Sequence, residues 1–164
     1  MGQHNVKGEY AEEAFKRLFP NAVKTEESQD KNGTDFLLGN NRKIQVKYDE
    51  TIGITGNVYF EVEERSFPGG PWRKSALDAD IYYFIYPKNY KKNKAGVLDG
   101  SIIFIKVTVD DYHDAVTDKR IREIKPTSKG YLVPLEQLRY KELTRYFPEL
   151  NKVKKYKEQL NGSK

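Results

Sequence analysis

Asp35, Gln45 and Lys47 are the residues whose types and spacing could do chemistry. A carboxylate, an amide and an ammonium on one polar patch suit metal-assisted hydrolysis of a phosphodiester. The carboxylate holds a divalent cation, the cation polarises the phosphate and lowers the pKa of a bound water, and the lysine steadies the attacking water or the developing charge. The stretch that would gather them is Thr34-Asp35-Phe36-Leu37-Leu38-Gly39-Asn40-Asn41-Arg42-Lys43-Ile44-Gln45-Val46-Lys47. Phe36, Leu37 and Leu38 are a short apolar run, Gly39-Asn40-Asn41 is turn chemistry, and residues 43–47 alternate polar and apolar. This predicts a strand, a tight turn and a second strand. Alternation sends Ile44 and Val46 to one face, Gln45 and Lys47 to the other. Asp35 stands at the mouth of the first strand. Lys47 can then reach the attacking water without being a ligand. The competing reading makes Lys47 a surface lysine paired with Glu61 or Glu63 on the next strand.

Composition bounds the alternatives. At 164 residues the chain predicts one domain, 1–164, with room for a core. Aromatics at 13% argue against disorder. With no cysteine, disulfides, zinc-thiolate sites and cysteine nucleophiles are excluded, and a reducing compartment is expected. The first residues lack the apolar core of a signal peptide, Val6 stands where a myristoylation site needs Ser or Thr, and no apolar run approaches membrane-spanning length. A net charge of +5 favours an anionic partner such as nucleic acid.

The hairpin must be held by a sheet and helices. Residues 7–19 read as a helix, with Tyr10, Ala11, Ala14, Phe15, Leu18 and Phe19 at helical spacing and Pro20-Asn21 as the stop. Glu9, Glu12 and Glu13 lie near its start, where the helix dipole favours acids. Residues 22–27 predict a strand, 28–33 a loop, 48–56 a loop broken by Gly53 and Gly56, and 58–64 a strand. Residues 66–71 read as a flexible segment, 72–77 as a short helix, and 80–86 as a strand buried on both faces. Residues 88–94 form a basic loop and 101–107 a second buried strand. Thr108 caps a helix whose acids, Asp110, Asp111 and Asp114, suit its first turns better than a metal. Beyond it come a strand at 120–126, a turn at 127–130, a return strand at 131–133, a helical turn at 134–138, and a closing helical segment over 139–160 broken near Pro148. The fold class this predicts is α/β with a mixed central sheet flanked by helices. Lys74, Ser75, Lys88, Lys91, Lys92 and Lys94 are the candidate DNA-binding residues, since ammonium and hydroxyl groups meet phosphate oxygens. The basic run at 152–157 reads first as a solvated face.

Asp35 followed by Gln45-Val46-Lys47 resembles the active-site motif of the PD-(D/E)xK nuclease superfamily, with Gln45-Val46-Lys47 where that family has (D/E)-x-K. Lys7-Gly8-x-x-Ala11-Glu12 resembles the opening helix of archaeal-type Holliday-junction resolvases within it. Gly56-Asn57-x-x-x-Glu61, followed by Trp72-x-x-Ser75 and Ala79-Asp80, resembles the continuation in phage-type members. The resemblance spans roughly residues 7–86, which makes 87–160 variable decoration. It departs at Gln45, an amide oxygen that can ligate Mg²⁺ but brings no charge. The resemblance implies a restriction-endonuclease-like αβββαβ core and a Mg²⁺-dependent deoxyribonuclease, with Mn²⁺ as a substitute. Asp35, Gln45, Lys47 and Glu12 would be catalytic, with Glu13 second to Glu12. Asp35, Gln45, the Val46 carbonyl and Glu12 would hold the metal, and Glu61 would be a further acid. DNA is the implied partner, branched DNA such as a Holliday junction the implied substrate, and a bacterial or phage-infected cytoplasm the implied place. No membrane is expected, and a homodimer is left open. A sequence-specific restriction-like enzyme, and a non-catalytic nucleic-acid-binding protein on a degenerate scaffold, are the alternatives.

Overall fold

In the computed structural model, residues 6–25, 35–64, 67–68, 79–88, 100–117, 123–124 and 128–160 are described. The elements in order are α1 (Val6–Leu18), β1 (Val23–Lys24), β2 (Phe36–Leu38), a 3-10 turn (Gly39–Asn41), β3 (Arg42–Tyr48), α2 (Thr51–Thr55), β4 (Asn57–Glu64), β5 (Phe67–Pro68), β6 (Ile81–Pro87) and β7 (Ser101–Thr108). There follow α3 (Val109–Thr117), β8 (Glu123–Ile124), β9 (Ser128–Pro134), a 3-10 turn (Leu135–Gln137), β10 (Lys141–Tyr146), a further 3-10 turn (Pro148–Lys152) and α4 (Lys154–Leu160). One sheet runs β1-β2-β3-β6-β7-β10, and a second runs β5-β4-β9-β8. β3 and β6 are parallel, and the other described pairs are antiparallel. The protein is therefore α/β with a mixed central sheet.

β6 holds the middle because Ile81-Tyr82-Tyr83-Phe84-Ile85-Tyr86 is apolar on both faces, and every residue of the strand is buried. Two cores result. On one face Ile44, Val46, Tyr83, Ile85, Ile102 and Phe104 pack under Tyr10, Ala14 and Phe15 of α1 and Tyr156 and Leu160 of α4. On the other, Tyr82, Phe84, Ile103 and Ile105 meet Val58, Phe60 and Val133 of the second sheet and Tyr112 of α3. Phe60 stacks on Tyr112 with ring centroids 4.1 Å apart. On α1, Phe15 meets Phe36 and Tyr83 at 4.9 and 5.1 Å between ring centroids. Truncation of such an aromatic to alanine costs about 3–5 kcal/mol, so Phe15 is a main anchor of α1 over β2 and β6. Tyr10 adds edge contacts to Tyr48 and Tyr156, tying the end of β3 to α1 and α4. Burial pushes its phenol well above the usual tyrosine range.

Several sequence expectations change. Residues 51–55 are not loop but the helical turn α2, closed by Gly56 at φ 77°, a left-handed cap that glycine takes without strain. β4 does not join the central sheet. It pairs with β5 and β9, so Glu61 and Glu63 are not on a strand next to Lys47. Residues 128–130 belong to β9 rather than a turn. Residues 141–146 form a strand, not a helix, because β7 offers them a six-residue antiparallel ladder from Lys141↔Lys106 to Tyr146↔Ser101. The Thr108 cap is present, with the Asp111 N–H donating to its hydroxyl at 3.2 Å.

Candidate active site

β3 outruns β2, and the site lies where it does. β2 pairs with β3 at Phe36↔Ile44, Leu37↔Lys43 and Leu38↔Arg42, and Asn40 and Asn41 make the turn between them at φ 66° and 58°. The Asp35 N–H donates to the Ile44 carbonyl at 2.8 Å. The backbone then leaves the ladder, and the Asp35 carboxylate takes the place of the next rung, accepting from the Val46 N–H at 2.8 Å through Oδ2. Its own carbonyl accepts from Thr25 twice, from the N–H at 2.9 Å and the hydroxyl at 3.0 Å. Asp35 is 3% exposed, its position fixed by these bonds. On its other edge β3 stays paired with β6 as far as Tyr48↔Ile85. Ladder groups of one strand residue point to the same neighbour. The Val46 carbonyl therefore faces the edge β2 has vacated.

A cleft of about 470 Å³ opens there, lined by Lys7, Gly8, Glu12, Asp35, Gln45, Val46, Lys47 and Tyr48. Residues far apart in the chain thus converge: Glu12 from α1, Asp35 from the head of β2, and Gln45 to Lys47 from β3. Gln45 and Lys47 are level with Tyr82 and Phe84 of the second core, whereas α1 covers the first, so the cleft draws groups from both sides of the sheet edge. Gln45 Oε1 is buried, and among the described residues it has no hydrogen-bond partner. A buried acceptor left unmatched costs about 1–3 kcal/mol, which a cation or a donor entering the cleft would relieve. Among the described residues no carboxylate pairs with Lys47.

The other cleft groups have visible tethers. Glu12 pairs with Lys24 at 3.2 Å. Lys7 pairs with Glu50 at 2.9 Å and lies over the Tyr48 ring at 5.6 Å. Glu13 is absent from the lining and borders an adjoining groove with Glu9, Lys16, Lys24 and Phe36; Glu12 lines both and is the helix acid that reaches the cleft. Lys7 and Gly8 enter the sequence reasoning only as part of a helix motif, and Tyr48 only as a boundary. Their signal was position: one turn before Glu12, and one residue after Lys47.

The donor set suits a hard cation. Two carboxylates, an amide oxygen and a backbone carbonyl are oxygen ligands of the kind Mg²⁺ accepts, and Mg²⁺ needs only one or two carboxylates because it keeps several waters. The orphaned Gln45 oxygen fits that role. Among the described residues no cluster of three or more His, Cys, Asp or Glu side chains is placed to hold a metal.

The remaining candidates fall elsewhere. Glu61 lies on β4 opposite Gly130, and its side chain is outside the described residues. Lys74, Ser75, Lys91, Lys92 and Lys94 also lie outside them. Lys88 is exposed, with its N–H donating to the Ser101 carbonyl at 2.9 Å. Asp80 acts as a clip: its carboxylate accepts from the Lys43 N–H at 3.0 Å and its N–H donates to the Lys43 carbonyl at 2.8 Å. Among the described residues no helix is long and apolar enough to cross a membrane. No protein-family model matches the chain, and no curated protein sequence matches it.

Proposed function

We propose that this chain is a divalent-metal-dependent nuclease that hydrolyses phosphodiester bonds of DNA on a restriction-endonuclease-like core. The observation that carries the reading is the meeting of Glu12, Asp35, Gln45, Val46 and Lys47 in one cleft, where the Gln45 oxygen is buried and, among the described residues, unmatched. The central sheet supports it: after α1 come the antiparallel strands β1, β2 and β3, and β6, reached through α2, β4 and β5, lies parallel to β3. Asp35, Glu12, Gln45 Oε1 and the Val46 carbonyl would hold Mg²⁺, with Mn²⁺ as a substitute. When bound, the ion supplies charge that polarises a phosphate and makes a water more acidic.

The chain's own groups do the rest. Lys47 orients the attacking water and offers positive charge to the phosphate oxygens as they gain negative charge. The Val46 N–H holds Asp35 so that its carboxylate keeps one orientation through the reaction. Lys7, steadied by Glu50, lies in the cleft wall as a second cation for a non-bridging oxygen. Branched DNA, such as a Holliday junction, is the substrate class that the α1 motif favours.

One pair of observations favours a second reading, a nucleic-acid-binding protein without catalysis. Gln45 brings no charge, and Glu12 is engaged by Lys24. Incubation of plasmid and four-way-junction DNA with the protein, with and without Mg²⁺ or Mn²⁺, separates the two. The nuclease reading expects metal-dependent cleavage with preference for the junction. Binding without cleavage under any metal supports the second reading, and neither binding nor cleavage rejects both.

A further inference from the structure

β10 forms the outer edge of the central sheet next to β7. Its residues alternate in direction. Leu143 packs on the core beneath α1 and α4, so Lys141 and Arg145 share that face. Lys106 of β7 lies directly opposite Lys141 and is half-buried, while Lys141 and Arg145 are exposed. Among the described residues no carboxylate pairs with any of the three. Of the acids nearest Lys141 and Arg145 in sequence, Glu142 points to the opposite face and Glu149 is engaged by Arg17 at 2.7 Å.

Charge on an edge strand commonly serves to block unwanted pairing, and that accounts for Lys141 or Arg145. It does not account for Lys106, which sits on a strand paired on both sides. Like charges directly opposite one another across a ladder destabilise it, unless an anion lies between them. We infer that Lys106, Lys141 and Arg145 form a binding surface for the phosphate backbone of duplex nucleic acid, separate from the cleft. The inference rests on the proposed action on DNA. Registers Val46↔Tyr83, Tyr83↔Lys106 and Lys106↔Lys141 place Lys106 two strands and Lys141 three strands from Val46 in the cleft. Three strand spacings of about 4.8 Å make about 14 Å, comparable with the roughly 12 Å width of a duplex major groove. Two contacts at that separation match the scale of one duplex. The surface depends on residues 141–146 being a strand, because the ladder with β7 sets Lys141 directly opposite Lys106; a helix would also keep Lys141 and Arg145 on one face but would not bring them into register with Lys106.

The test measures affinity for a short duplex by fluorescence anisotropy across a salt series, without divalent metal, for wild type and Lys141→Gln/Arg145→Gln. The slope of log affinity against log salt should become shallower by about two, close to one per lost phosphate contact. Cleavage at saturating DNA should stay within a few-fold of wild type, and Lys141→Arg/Arg145→Lys should restore the slope. An unchanged slope and affinity in the glutamine variant, with wild type binding normally, overturns the surface and leaves the nuclease reading standing. A shallower slope without any cleavage by wild type retains the surface and removes the nuclease reading. If wild type binds no duplex, both fall. If poly-glutamate at matched charge competes as well as duplex, the surface serves an acidic protein and the nucleic-acid assignment is overturned.

Discussion

Asp35, at the head of β2, and Asp49, just past β3, lie toward the same end of the β2–β3 hairpin, and the same side chain has a different fate at each position. Asp49 is consumed by local structure. It accepts from the Thr51 N–H at 3.1 Å, from the Thr51 hydroxyl, and from the Tyr59 N–H at 3.3 Å, which closes the turn into α2 and anchors β4. Burial raises its pKa, against these hydrogen bonds. Asp35 accepts from the Val46 N–H, but its neighbours are Gln45, Glu12 and Lys47 in an open cleft. A carboxylate surrounded by donors from its own chain builds a turn. One that shares a cleft with an ammonium and with an acceptor unmatched among the described residues has polar neighbours that a ligand could engage. Burial alone does not tell the two apart; the state of the neighbouring polar atoms does.

Changing the two residues in parallel breaks or sharpens the contrast. Asp35→Asn keeps an acceptor for Val46 but removes a charge from the cleft, and should weaken Mn²⁺ binding by at least about 10- to 100-fold, the scale on which even outer-shell groups act at metal sites. Asp49→Asn should leave that affinity unchanged. Titration calorimetry of both variants decides, and equal losses would erase the distinction. Asp49→Ala strands the Thr51 and Tyr59 N–H groups and should cost about 1–3 kcal/mol of stability in denaturant unfolding. A smaller loss would mean that water replaces the carboxylate easily.

Gln45 gives a finer test. Gln45→Glu should retain or tighten Mn²⁺ binding, and Gln45→Ala should weaken it. Thermal unfolding should show no loss of stability in Gln45→Ala, since the orphaned acceptor goes with the side chain. If Gln45→Ala binds the ion as well as wild type, the amide is not a ligand.

The smallest effect is a pH dependence. Burial raises the folded-state pKa of Asp49 above its ordinary value of 3.8, so the folded chain holds the proton more tightly than the unfolded one. The stability this group contributes is fullest below 3.8 and declines as pH rises from there through the raised value. The stability of wild type relative to Asp49→Asn should fall across that window and then level off. A relative stability that rises over the same window contradicts the sign.

What the sequence revealed depended on how local the determining contacts are. The period of Tyr10, Ala11, Ala14 and Phe15 exposed α1, and Gly39-Asn40-Asn41 exposed the hairpin, because each is decided within a few residues. The faces of Ile44, Gln45, Val46 and Lys47 followed from strand parity. Lys141-Glu142-Leu143-Thr144-Arg145-Tyr146 was misleading because Lys, Glu, Leu and Arg favour helix. Its pairing with β7 lies in the tertiary structure and overrides that preference. The alternation of β4 showed one buried face but not which sheet it joins. Gly53 read as a breaker, yet it lies in α2 where a Cβ would meet Tyr86 at 3.0 Å. In the site, the residue types were legible, but the Asp35 to Val46 bond and the open edge of β3 depend on where β2 stops, and the Lys7–Glu50 tether depends on how α1 packs over β3.

The central claim is that the cleft at the open edge of β3 cuts DNA, and Lys47 tests it most directly. Single-turnover cleavage of plasmid DNA in Mg²⁺ should be at least about 10²-fold slower for Lys47→Ala than for wild type, the scale of a lost acid–base group. Folding, DNA affinity and Mn²⁺ affinity should be retained. A surface lysine would cost at most about 1 kcal/mol of stability and leave the rate intact. A Lys47→Ala rate within a few-fold of wild type contradicts the account.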